Sequence, residues 1–518
     1  MSAYAGVLLK VTMLYSATPD NLTSLMQLVE PGDVIELGSG RYGGIVATRA
    51  PGQPDAPITV RPAPGADVAL VGGNSTVATL VVDRPYWVFD GLTIQPEAAA
   101  TNTKPAWIAV RAAGMGAVLR NLRADRPGPI EDAKRWNDYG IVFEADDVHI
   151  ENCQIAGMVK GLHPKGRCKR ATIINNEIGP TYQSCIAVGT SFGDVRGMLI
   201  GWNILWKSYI EDGVQFMQNP NATDSETDIS NLGTILYRNR IERNNENGVD
   251  LKGAGFIILD GNLIAYSAGS NDGPLNGWNF NAVAAVTRGA RSSCSDILLR
   301  NSRIERNASG IRLLPRNWKI IHNLIGDNNW RPERDDYEGF GIRQPGGAAG
   351  AVAMNNIVGG HKAGNLVGLS GIRAQNNPEL GGALADPLTF TLNEDHSDAV
   401  RLDDVGFFTD WFGRTDLPRD VVYIGGQRAE VLSVDRPSRT LVLDRRVKWV
   451  KGAPVFLGYA QPLVGPLGWS DPRPPEEPDG ETDPPAPDME SVTLTGPPAS
   501  VAALRNMVRL FSQLQIGD

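Results

Sequence analysis

The sequence predicts an all-β chain built as a stacked-strand solenoid, a parallel β-helix, and three observations predict it. Short runs of alternating apolar and polar residues are punctuated throughout by turn formers, with 58 Gly and 35 Pro in 518 residues, which suits strands joined by tight turns and argues against a helical bundle. An Asn beside an aliphatic residue recurs at Asn152, Asn176, Asn203, Asn239, Asn262, Asn301, Asn323 and Asn356. Its shorter spacings cluster near 22 to 27 residues, the length of one solenoid coil. A second apolar run, commonly opened by Gly, appears once per coil, as in Gly140-Ile-Val-Phe, Gly213-Val-Gln-Phe and Gly248-Val-Asp-Leu.

The elements follow in order. Residues 1–30 form an N-terminal segment with a short helix over Pro19–Val29, capped by Asp20, in which Leu22, Leu25, Met26 and Val29 share one face. Its expected job is to cover the open end of the solenoid. The β-helix spans 31–392. Early strands are read at Val34-Ile-Glu-Leu37, Pro57-Ile-Thr-Val60, 79–82 and 87–94, and the repeat becomes explicit from about residue 139. A small antiparallel β module follows over 393–466. Residues 467–490 are a linker rich in Pro and acidic residues. Residues 491–518 carry a helix whose stripe Val501, Leu504, Val508 and Phe511 docks on its own chain or on another subunit.

Composition narrows the function. A formal charge of −9 argues against general nucleic-acid binding. Four scattered cysteines show no zinc spacing and no disulfide framework. The first 19 residues lack a basic region and make a poor signal peptide. No stretch reaches the roughly 20 apolar residues that span a membrane, so membrane insertion is not expected.

Stacking the second strand type in register sorts its side chains by the period-two rule. Ile141, Leu162, Ile186, Val214, Val249, Ile311 and Ile342 fall inside. The outward column reads Val142, His163, Ala187, Gln215, Asp250, Arg312 and Arg343, with Lys165 and Lys252 two residues further along the same face. The rung between Asp250 and Arg312 lies somewhere in 281–286. Three long insertions, 218–232, 266–280 and 327–338, flank this face, and loops of that length are usually functional or disordered. Trp202, Trp206 and Trp278 are candidate sugar-stacking residues. The run Lys160, Lys165, Arg167, Lys169 and Arg170 reads as a solvated turn or as a dock for an anionic polymer.

The Asn repeat, the opening Pro31-Gly-Asp-Val-Ile-Glu-Leu37 with Gly40-Arg-Tyr42, and Pro57-Ile-Thr-Val60 resemble the pectate-lyase-like right-handed parallel β-helix proteins. These include polysaccharide lyases and bacteriophage tailspikes. The resemblance covers about residues 20–390 and implies a right-handed solenoid. It also implies a polysaccharide as partner and, in its lyase branches, a basic residue acting as base with calcium held by Asp residues. On Asn247–Gly253 that nominates Lys252 as base with Asp250 beside it, Arg312 or Arg343 as carboxylate clamp, and His163 as proton donor. Gln215, Arg343, Lys165 and Trp278 are then substrate contacts, and Asp212 with Asp250 the calcium ligands.

Several readings stay open on the residues alone. Asp250, Lys252 and Arg312 are equally readable as solvated cross-rung ion pairs, each worth about 0.2–1 kcal/mol. A hydrolase would use two carboxylates roughly 5–9.5 Å apart, best matched by Asp212 with Asp250, with Glu242 and Glu246 further off. The expectation carried forward is a tailspike-like protein that binds a bacterial surface or extracellular polysaccharide, in its stronger form also depolymerising it. It would be a homotrimer among virion tail proteins or an extracellular protein. The alternatives are a non-catalytic structural or adhesion component and a free polysaccharide lyase acting by β-elimination on uronates.

Overall fold

The computed structural model describes residues 12–43, 46–72, 78–96, 106–126, 138–166, 168–189, 195–216, 231–252, 254–267, 281–284, 295–313, 317–329, 339–344, 351–369, 373–375, 377, 389–392, 397–450 and 452–457. Trp278, Trp330, Arg167 and Cys294, the linker 467–490 and the terminal helix 491–518 lie outside them. Among these residues the chain winds through three parallel sheets of 16, 12 and 12 strands. The first runs from Leu14–Ala17 to Arg373–Gln375, the second from Gly40–Gly43 to Ile357–Gly359, and the third from Val46–Ala47 to Gly364–Val367. Each coil contributes a strand to each sheet in turn, which makes the parallel β-helix that the sequence predicts. Parallel crossovers of this kind are right-handed as a rule.

The period-two reading of the third sheet holds rung by rung. Ile141 pairs with Leu162, Leu162 with Ile186, Ile186 with Val214 and Val214 with Val249. Val249 pairs in turn with Val283, then Ile311 and Ile342. All of these are fully buried in one apolar core. The register left open by the sequence closes on Ala284, which stands between Asp250 and Arg312 in the outward column.

The Asn ladder is real, with two corrections. Asn176, Asn203, Asn239 and Asn262 each donate from Nδ2 to a carbonyl inside the coil and accept from the preceding rung at 2.9–3.0 Å. The ladder resumes through Asn323 and Asn356 and ends on Asn377. Asn152 and Asn301 are not in it; Cys153 and Ser302 hold those rungs. Both Asn residues instead take the left-handed bend one position earlier, with φ near 50°. The same bend falls on Asn175, Trp202, Arg238 and Asn355 at other rungs. The ladder and the bend are therefore separate requirements on adjacent residues, and one Asn cannot meet both.

At the N-terminal end the solenoid starts earlier than residue 31, because Leu14–Ala17 already pairs with Val34–Leu37. The helix spans Leu22–Leu28 with Asn21 rather than Asp20 at its N-cap, and it buries Leu22 and Met26. At the other end a six-stranded antiparallel sheet includes Thr389–Thr391 as well as strands out to Pro454–Leu457. It packs on the outward face of the first sheet, where Leu199, Ile235, Ile258, Leu298 and Ile321 are apolar because the module covers them. Arg300 pins the two together. It is 1 % exposed and hydrogen-bonds Asp260 of its own sheet at 2.7 Å and Asp420 of the module at 2.7 and 2.9 Å. Among the described residues no helix is long and apolar enough to cross a membrane.

Candidate functional site

The rung Asn247–Lys252 is entered through a bend that admits only a residue without a side chain. A Cβ on Gly248 would run into Cγ2 of Ile264 and the carbonyl of Ala282. Past the bend Val249 and Leu251 fill the core, so Asp250 must point outward. Asp250 is nevertheless fully buried, because the Lys252 ammonium from two residues on folds back over it as an ion pair. Lys252 keeps 14 % of its side chain exposed and is the part of the pair that solvent meets.

Asp212 lies one rung earlier, beneath the bend. It is fully buried, accepts from the backbone N–H and Nδ2 of Asn247 at 3.1 and 2.8 Å, and accepts from Nε2 of Gln215 at 3.0 Å. Asn247 in turn accepts from the backbone and side chain of Asn281. A second amide ladder thus runs along the bends and ends on the Asp212 carboxyl. Its position was visible in the sequence as Asn247 and Asn281 beside their glycine or alanine.

Charge couples these groups. Burial, reinforced by the negative charge of Asp250, raises the Asp212 pKa well above the usual carboxylate range. For Lys252 burial acts to lower the pKa, but the charges of Asp250 and Asp212 outweigh it and hold the ammonium up to about 12. Lys252 is a cation at neutral pH.

The other predicted residues separate into groups. Gln215 faces Asp250 on the adjacent rung. Arg312 is two rungs beyond Asp250 through Ala284, roughly 10 Å away, and Arg343 one rung further. His163 is three rungs before Asp250, roughly 14 Å away. It therefore does not converge on Lys252. His163 binds the carbonyl of Ala187 through Nδ1 at 2.7 Å, so its neutral ring carries the lone pair on Nε2, and Tyr139 stands edge-on to it at 5.3 Å. Sequence reasoning missed Tyr139, whose pKa is raised by burial and by the nearby Glu211 charge. Lys165 is paired with Glu144 at 3.0 Å.

Three residues of the basic run are engaged within the fold. Lys160 is buried, Lys165 is taken by Glu144, and Arg170 is clamped by Asp147 at 2.6 Å. Trp202 is edge-on to Tyr237 and packs, partly buried, against the apolar cluster under the C-terminal module. Glu242 is buried against Arg240 at 2.8 Å.

Calcium wants six to eight oxygen ligands. The Asp212 oxygens already accept three N–H groups, and Asp250 carries a lysine ammonium. Among the described residues no group of three His, Cys, Asp or Glu side chains is arranged to hold a metal. This donor set does not fit a calcium ion.

Fold and site together define a parallel β-helix protein with a desolvated acid–lysine cluster on its outer face. No protein-family model matches the chain, and no curated protein matches it in sequence. Among solved structures, it is similar to a mannuronic acid-specific family 6 polysaccharide lyase from human gut microbiota, at 11 % identity and TM-score 0.47, over 70 % of this chain and 85 % of that one. It is also similar to the periplasmic alginate epimerase AlgG, at 11 % identity and TM-score 0.44, over 70 % and 83 % of the two chains. The pectate lyase Pel9A matches at 15 % identity and TM-score 0.38, over 73 % and 82 %.

Proposed function

We propose that this protein binds an acidic polysaccharide along the outer face of its third sheet and cleaves it by β-elimination at the Lys252 rung. The observation that supports this most is Lys252 itself. It is a largely desolvated ammonium, held charged by two buried carboxylates, and it is followed along one face by Arg312 and Arg343. Elimination on a uronate requires its carboxylate to be neutralised, a base for the C5 proton and a donor for the leaving oxygen. A cation of this kind supplies the first of these; in the cleavage step the C5 proton passes to hydroxide from solvent, and the leaving oxygen takes its proton from water. The Lys252-to-Arg312 span of roughly two rungs fits one or two sugar units.

A role for Lys252 as base, the expectation from the sequence, would require it to lose a proton that its neighbours hold. Lys252→Arg separates the two roles, since Arg keeps the cation and cannot act as a base. On a panel of acidic polysaccharides, absorbance from unsaturated sugar ends should appear with the native protein, persist at a reduced level in Lys252→Arg and vanish in Lys252→Ala. Loss in both variants would return the base role to Lys252. No product from any polymer would leave binding without chemistry, a reading favoured by the complete burial of Asp250 under Lys252. A tailspike setting, as a homotrimer in a virion, uses the same face and is tested by sedimentation of the full chain.

A further inference from the structure

A second cleft lies on the second sheet, near the N-terminal end of the solenoid. There the strands Gly40–Gly43, Val68–Gly72, Thr93–Pro96 and Arg123–Asp125 stack in register. Tyr42, Leu70 and Ile94 point into the core, so the outward column reads Arg41, Ala69, Thr93 and Arg123. Two short side chains between two long ones leave a depression in this column. It has a volume of about 710 Å3 and is lined also by Gln95, Asp67 and Asp125. That volume falls within the range of small-molecule sites.

Its walls are fixed by the backbone. Gly40 donates its N–H to the Asp67 carbonyl at 2.9 Å, and the Asp67 N–H donates to Oγ of Ser39 at 3.2 Å. At the far end Arg123 is bound to Asp125 at 3.2 Å. The two arginines are three rungs apart, roughly 14 Å, which is long enough for a short oligosaccharide.

We infer that this cleft is a second, non-catalytic saccharide site for an uncharged, hydroxyl-rich oligosaccharide. The charge balance selects against an acidic polymer, because Arg41 and Arg123 are matched by Asp67 and Asp125. The hydrogen-bonding inventory suits hydroxyl pairs, which both donate and accept. Guanidinium groups only donate, carboxylates only accept, and the Gln95 amide and Thr93 hydroxyl do both. The Lys252 face presents cations along its column, so the two faces would take chemically different sugars. This inference does not rest on the reading of Lys252.

The test is calorimetric titration of the full chain with neutral trisaccharides of gluco, manno and galacto configuration, and with trigalacturonate. At least one neutral trisaccharide should bind with a Kd of about 1 mM, and the affinity should survive high salt. Ala69→Trp, which fills the floor without altering charge, should weaken that binding at least tenfold, as should Asp125→Ala. A thermal transition of Ala69→Trp and Asp125→Ala matching that of the native protein would show that these variants fold. Three outcomes would overturn the inference: no neutral trisaccharide binding, neutral binding indifferent to Ala69→Trp, or a preference for trigalacturonate that Ala69→Trp removes.

Discussion

Replacing Lys252 by Met removes the cation that covers Asp250 while keeping most of the side-chain volume. Its contribution can be worked from the pKa. Lys252 titrates near 10.5 when unfolded and near 12 in the fold, a gap worth about 2 kcal/mol. The folded pKa is the higher one, so this stabilisation is fully present below about pH 10.5 and is lost as pH rises through about 12. The variant should lose more than that, because it removes the ammonium from a fully buried carboxylate, and breaking a buried ion pair costs about 3–5 kcal/mol. The loss should shrink on acidification, since Asp212, whose pKa is already raised by burial, takes up a proton and so removes negative charge beside the lost cation. Urea denaturation at pH 5, 7 and 9, with the m-value checked for constancy, measures this directly. A Lys252→Met variant within about 1 kcal/mol of the native protein at pH 7, with no pH dependence, would refute a desolvated pair. The double variant with Asp250→Leu should recover most of the stability.

Three further outcomes follow from the same kind of reasoning. Asn239→Ala deletes a ladder rung that serves Asn203, Asn262 and the Ile200 carbonyl, and should cost about 3 kcal/mol by chemical denaturation because buried donors lose their partner. Arg300→Met strands Asp260 and Asp420; it should destabilise the protein by about 3–5 kcal/mol and open the 397–457 region first to limited proteolysis. His322 is held down to about 4 by burial and by the charge of Arg300. Its folded pKa is the lower one, so stability should fall by up to about 3 kcal/mol between pH 6.5 and 4, and His322→Gln should flatten that part of the pH–stability curve.

The solenoid was legible because its code is local and repeated. An inward Ile, Leu or Val at the same offset in seven coils specifies the register by the period-two rule alone, and every one of those residues is in the core. What the repeat could not distinguish was two functions on neighbouring positions. Asn152 and Asn301 look like ladder residues, yet they make the left-handed bend, while Cys153 and Ser302 supply the ladder position with poorer hydrogen-bonding groups. The long-range packing of the C-terminal module was also hidden. Nothing local to Arg300 announces Asp420, which is 120 residues away in the chain.

The site was legible to the same extent and for the same reason. Strand alternation places Asp250 outward, and residue type says it carries charge, but neither says whether water reaches it. That depends on where the Lys252 ammonium goes, a choice made by its flexible stem and by the field of Asp212, a rung away. Strand alternation therefore places Asp250 and Lys252 on one face, while their pairing and burial are set by the fold around them. An exposed lysine near pH 7 chemistry would need a lowered pKa to act as base, whereas two buried carboxylates raise it. A chain that wanted a lysine base on this rung would have to remove one of those carboxylates or admit another cation beside them. With both carboxylates in place, the fold holds this lysine as a cation and not as a free amine.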